Sequence, residues 1–127
     1  MVDVLAPISV GELIDKITIL RIKADKIEGA ARRNVGHELD QLVQIRAGLD
    51  LAADLGELEA QLLDVNLRLW IVEDDLRDLE RVGEFGARFV ELARSVYTLN
   101  DRRSALKRRI NEVTSSRIVD EKSYKPY

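Results

Sequence analysis

The 127-residue chain has no cysteine and a single histidine. The first absence excludes disulfides, thiolate zinc sites and a cysteine nucleophile, and the second excludes a histidine-rich metal centre. Any metal would be held by carboxylates, which favours magnesium, manganese or calcium. Proline is confined to Pro7 and Pro126, and aromatic residues make up only 5% of the chain, a composition that suits helices. No run approaches the roughly 18 consecutive apolar residues that a membrane-spanning helix needs. The opening, Met1 to Pro7, lacks the basic and apolar regions of a secretory leader. A cytoplasmic protein with no membrane partner is therefore expected. Also missing are a glycine-rich phosphate loop and any serine–histidine–aspartate order that would support nucleophilic catalysis.

What the chain does have is helical rhythm. Hydrophobic residues at 46% rule out a disordered chain, and the length suits one domain, residues 1–127, with a core of its own. The strongest signal runs from Leu55 to Leu79: Leu55, Leu58, Leu62, Val65, Leu69, Val72, Leu76 and Leu79 recur in steps of three and four without a polar break. A second apolar stripe, Ala60, Leu63, Leu67 and Ile71, lies on roughly the opposite side of the same helix. A helix apolar on two sides is packed on two sides, which predicts a central helix of a bundle or a homodimer contact. Between the stripes runs a polar line, Asn66, Trp70, Glu73 and Arg77.

Around this helix the rest of the chain reads as an all-α antiparallel bundle. A short arm (1–8) precedes Ser9-Val-Gly-Glu12, a capping box in which Ser9 accepts from the Glu12 amide and Glu12 reaches back. The helix it opens spans about 10–28. Its stripe includes Val10, Leu13, Ile14, Ile17 and Leu20, while Ile19 and Ile22 point to a second side. Gly29 to Asn34 reads as a turn, and a second helix spans about 35–49, with its end hardest to place in the Asp50 to Gly56 stretch. The long helices, about 57–82 and 87–114, are joined by a tight connection at Gly83 to Gly86, which forces them antiparallel. Residues 115–127 have no helical period and form a tail that wraps over the bundle.

The second long helix repeats Phe89, Leu92, Val96, Leu99, Arg103, Leu106 and Ile110, and Arg103 alone interrupts it. A guanidinium on a core stripe needs a carboxylate partner or a cavity. In a hairpin turning near residues 84 and 85, positions whose numbers sum to about 169 lie level. That register puts Asn66, Trp70, Glu73 and Arg77 in the same slab as Arg94, Tyr97, Asn100 and Arg103. Glu12, Asp15 and Lys16 complete the slab if the first helix packs there.

Charge is unevenly spread: residues 1–33 carry a net +1, 34–86 a net −9 and 87–127 a net +5. In a compact bundle this means that neighbouring helices complement each other. Arg102, Arg103, Lys107, Arg108 and Arg109 resemble a nucleic-acid patch. With a net charge of −3 and no interleaved aromatics they read better as a paired face, so no nucleic-acid partner is expected. His37 is isolated and reads as a surface or capping residue. Glu12 with Asp15, and Asp75 with Asp78, have the three-residue spacing of magnesium-dependent all-α nucleotide pyrophosphohydrolases, a pattern common by chance among 23 acidic residues. Magnesium is the one cofactor this leaves open, and no metal-ligand set is assigned.

Several segments together resemble a family of small bacterial proteins classed as a domain of unknown function. They are Ile8-Ser-Val-Gly-Glu-Leu-Ile-Asp-Lys-Ile-Thr-Ile-Leu20, Leu69-Trp-Ile-Val-Glu-Asp-Asp-Leu-Arg77, Phe89-Val-Glu-Leu-Ala-Arg-Ser-Val-Tyr97, Asn100-Asp-Arg-Arg103 and Glu121-Lys-Ser-Tyr124. The resemblance implies Glu12, Lys16, Trp70, Glu73, Arg77, Arg94, Tyr97, Asn100, Asp101 and Arg103 as motif positions, with no activity to carry over. The functional expectation is a small anionic ligand bound, or acted on, in an inter-helix pocket. Arg77, Arg94 and Arg103 would be the donors, Glu73 and Glu12 the orienting or acid/base groups, and Trp70 with Tyr97 an apolar wall. A non-catalytic helical dimer or adaptor and the magnesium pyrophosphohydrolase are the alternatives.

Overall fold

The computed structural model describes residues 1–51 and 54–127. Four helices follow one another: α1 (Val10–Lys26), α2 (Gly29–Ala47), α3 (Gly56–Val82) and α4 (Ala87–Val113). The protein is an all-α helical bundle. Among the described residues no helix is long and apolar enough to cross a membrane. The arm before Ser9 is exposed and without regular structure, and His37 is exposed on α2.

The α3–α4 hairpin is closed as its residues dictate. Gly83 takes φ 72°, a left-handed conformation open to glycine without steric cost, and ends α3. The Glu84 amide then donates to the Leu79 carbonyl at 2.9 Å, the bond that terminates a helix with a left-handed cap. Phe85 and Phe89 meet edge to face at 5.2 Å on the α4 side of the turn. α1 lies against both long helices, and the core is Ile14 of α1, Leu55, Leu62 and Val65 at the start of α3, and Leu106 and Ile110 at the end of α4. Toward the turn the seam thins. Val72, Leu76, Leu79 and Phe89 are half-buried there, and Leu92 is the one apolar side chain fully inside.

Three details differ from the sequence expectation. The link between α1 and α2 is two residues, Ile27 and Glu28, and not a turn over Gly29 to Asn34. Gly29 at φ 72° reverses the chain in one step, so Ala30 to Asn34 join α2. Second, α2 packs on α1 alone, tied to α3 by the Arg46–Glu59 ion pair. Ile22 of α1 is buried and Val35 of α2 with it, whereas Val43, Ile45 and Leu49 are exposed. Third, of the two readings of the Ala60, Leu63, Leu67 and Ile71 stripe of α3, burial at the centre of the bundle fails, since the stripe is solvent-exposed in the single chain. Ala52 and Ala53, within the stretch where the end of α2 was hardest to place, lie outside the described residues.

The beginning and end of the chain are fastened together. A helix start leaves its first amides without intrahelical partners, and in α1 three of these are met by side chains. The Val10 amide donates to Ser116 Oγ at 3.1 Å, Gly11 to Asn111 Oδ1 at 2.7 Å and Glu12 to Ser9 Oγ at 2.9 Å. Ser9 donates in turn to Asp120 at 2.6 Å. The capping box is thus half-formed, because the Glu12 carboxylate accepts from Lys107 instead of the Ser9 amide. From Ser116 the tail runs back along α4, through Arg108–Glu121 at 3.1 Å to Tyr127, whose hydroxyl donates to Asp101 at 2.7 Å.

Candidate functional site

The polar heart of the bundle forms where α1 comes closest to α4. Gly11 makes that approach possible, since a Cβ on it would lie 2.5 Å from the Lys107 carbonyl oxygen. Gly11, Asp15 and Thr18 follow at four- and three-residue spacing and share one face of α1. All three are buried, Asp15 completely. Arg103 donates to Asp15 through Nε at 2.9 Å and Nη2 at 2.5 Å, a bidentate pair. Asn66 Nδ2 donates to the same carboxylate at 2.9 Å and to Thr18 Oγ1 at 2.8 Å, and the Thr18 hydroxyl donates to the Asp15 carbonyl at 2.7 Å.

This network answers the question Arg103 poses on an apolar stripe: its partner is Asp15. Asn66 and Arg103, numbers that sum to 169, meet on one oxygen of Asp15, as the hairpin register requires. Burial raises the cost of ionising Asp15, but the hydrogen bonds from Arg103 and Asn66 and the nearby charges of Arg103 and Lys107 outweigh it. They hold the carboxyl below its ordinary range. The bond to Asp15, against the opposing effect of burial, raises the Arg103 pKa.

Above the network lies a groove of about 900 Å³ between α4 and the tail. Tyr97, Asn100, Ser104 and Lys107, one face of α4, form its floor with Arg103 and Asp101. Glu12 borders it, and Lys122, Tyr124, Lys125 and Tyr127 close it from the tail. Glu12 accepts from Lys107 at 2.5 Å and lies 3.9 Å from Lys16. The rings of Tyr97 and Tyr127 meet at a tilt of 58°, their centroids 5.0 Å apart.

The expected residues do not form one slab. Glu12, Tyr97, Asn100, Asp101 and Arg103 share the groove, with Lys16 beside Glu12. Trp70, Glu73 and Arg77 line a separate depression of about 400 Å³ with Ile19 and Asn66, which Arg103 also reaches. There Arg77 is taken up by Glu73 on its own helix at 2.8 Å. Arg94 lines a third hollow, on the α3–α4 face, with Ile71, Asp75 and Arg88. Arg94 therefore does not converge with Arg77 and Arg103, and Trp70 and Tyr97 do not make a common wall. The reason is helical phase: Arg77 emerges beside Ile19 of α1, whereas Arg94 emerges on the α3–α4 face, in a hollow that meets the groove only at Tyr97 and Tyr127.

The acidic pairs are also apart. Asp15 is enclosed beneath Arg103, Asp75 lies 3.9 Å from Arg88, and Asp78 pairs with Arg81 at 2.6 Å. Among the described residues no group of three or more carboxylate or imidazole side chains is gathered so as to hold a metal ion. Four of the five basic residues of the α4 run have partners, Arg103 with Asp15, Lys107 with Glu12, Arg108 with Glu112 and Glu121, and Arg109 with Glu112, while Arg102 is exposed with no ion pair among the described residues.

Sequence reasoning left Thr18, Lys107 and the tail residues Lys122, Tyr124, Lys125 and Tyr127 out of the site. Two signals pointed to them: the Gly11–Asp15–Thr18 spacing on α1 and the Glu121 to Tyr124 motif in a segment with no helical role. No functionally curated protein and no solved structure is similar enough to the chain to match it. The model of a family of unknown function, DUF6165, matches residues 4–127, and the chain belongs to that family.

Proposed function

We propose that the protein binds a small anionic ligand in the groove between α4 and the C-terminal tail. The observation that carries this reading is the convergence of four cations from two distant segments, Arg103 and Lys107 from α4 and Lys122 and Lys125 from the tail, on one hollow. Arg103 and Lys107 are oriented by Asp15 and Glu12, so they meet an anion without first being ordered. Lys122 and Lys125 have no ion-pair partner among the described residues and supply the uncompensated charge. Tyr97 and Val96 offer apolar wall, and Asn100 and Ser104 add directed polar groups, the mixture that small-molecule sites use. The donors are thus Arg103 with three lysines, in place of Arg77 and Arg94.

A thermal-shift screen against phosphates, sugar phosphates, nucleotides and dicarboxylates, each with and without magnesium, tests the reading. A ligand at 100-fold excess over its dissociation constant stabilises the fold by about 2.7 kcal/mol. The shift should disappear in a Lys122→Ala/Lys125→Ala variant and survive in Arg94→Ala. Nucleotide breakdown that requires magnesium would instead favour the pyrophosphohydrolase alternative.

The exposed Leu63, Leu67 and Ile71 of α3 favour a second reading, a helical dimer in which two copies cover these stripes. Light scattering should then give twice the chain mass for the native protein and the single mass for Leu67→Glu. A native monomer would end that reading.

A further inference from the structure

We infer that the ligand of this groove is a nucleoside phosphate, with its base against Tyr97 and its phosphates toward Lys107; this rests on the anion-binding reading above. All three tyrosines of the chain line this one groove. They are 43%, 73% and 81% exposed at positions 97, 124 and 127. Three partly exposed aromatic rings in one hollow of a protein otherwise poor in aromatics, two of them in mutual contact, present apolar surface that a simple inorganic anion would not use. Stacking of a base on aromatic side chains contributes on the order of 1–3 kcal/mol per base.

The groove is also polarised along α4. Tyr97 and the tilted Tyr127 stand at one end with Asp101, which accepts from the Tyr127 hydroxyl through Oδ2 and has Oδ1 as an acceptor for a ligand hydroxyl or exocyclic amine. Lys107 stands ten residues further on, about 15 Å along the helix at 1.5 Å per residue. Arg103 lies between, held through Nε and Nη2 by Asp15. A ring joined to a pyrophosphate matches this order of apolar wall, acceptor and cations.

Calorimetric titration with ADP, UDP, inorganic pyrophosphate and adenosine tests the assignment. At least one nucleotide should bind tenfold or more tighter than pyrophosphate. Tyr97→Leu should bring that nucleotide down to the pyrophosphate level while leaving pyrophosphate unchanged, and Tyr97→Phe should restore it. Tyr97 is 43% exposed, so both variants should still melt cooperatively. Pyrophosphate binding as tightly as either nucleotide, with no response to Tyr97→Leu, would overturn the nucleoside assignment and leave the anion site standing. Failure of all four compounds to bind would overturn the nucleoside assignment, and only failure of the full anion screen above would overturn the anion site as well.

Discussion

Asp15 and Arg103 form the pair on which the interior depends. Removing one partner of a buried ion pair leaves the other charge uncompensated and costs about 3–5 kcal/mol. The cost falls unequally here, because Asp15 is enclosed whereas the Arg103 side chain retains 29% exposure. Arg103→Met should therefore destabilise more than Asp15→Asn. The double variant should recover part of the loss, a coupling that urea melts of the four proteins would measure. The pair also predicts a pH dependence. Folding lowers the Asp15 pKa, so the native state binds that proton more weakly than the unfolded chain. The stabilisation is complete above the unfolded value of about 3.9 and is lost as pH falls through the folded one. The advantage of the native protein over Asp15→Asn should be flat near neutrality and shrink on acidification. An advantage that grew on acidification would rule out the ionised pair.

At the scale of elements, the α1–α4 contact combines the shared core of Ile14, Leu106 and Ile110 with a close backbone approach at Gly11. Gly11 sits against the Lys107 carbonyl, and its amide donates to Asn111. Gly11→Ala cannot be absorbed by a rotamer change, because the obstacle is main chain. It should destabilise by about 2 kcal/mol, within the range for an overpacked core, and should weaken Arg103–Asp15 by moving the helices apart. A conservative change on α2 offers the contrast, since Ile45→Ala, at an exposed position, should stay within about 0.5 kcal/mol of the native stability. Equal losses in the two variants would mean that α1 does not pack on α4 as described. The α3–α4 pairing and the reversal at Gly83 were legible from periodicity and glycine spacing. The start of α2 was not, because Gly29 read as the opening of a turn when it opens the helix itself after a two-residue link.

For the molecule as a whole, the tail is both fastening and wall. Its attachments are hydrogen bonds and surface ion pairs such as Ser9–Asp120 and Arg108–Glu121, each contributing about 1 kcal/mol or less. The core cluster of α1, α3 and α4 involves none of it. Deleting residues 118–127 should therefore leave the helical circular dichroism intact and lower stability by about 1–2 kcal/mol. The same deletion should abolish the ligand-induced thermal shift, because Lys122, Lys125 and two of the tyrosines leave with it. A truncated protein that keeps the full shift would move the ligand to another part of the surface.

The sequence by itself determined the helices, the hairpin and the need of Arg103 for a carboxylate, because apolar spacing and the cost of an unpaired charge are local or nearly local constraints. It also named Glu12, Tyr97, Asn100 and, through the family motifs alone, Asp101 as candidates, and these line one groove with Arg103. Only the tertiary structure decided that Asp15 is that carboxylate, that Arg77 and Arg94 face other hollows, and that the tail supplies the opposite wall. Those outcomes depend on the phase of α1 against the hairpin and on contacts between residues more than a hundred positions apart, such as Ser9 with Asp120. No periodicity within a single helix encodes them.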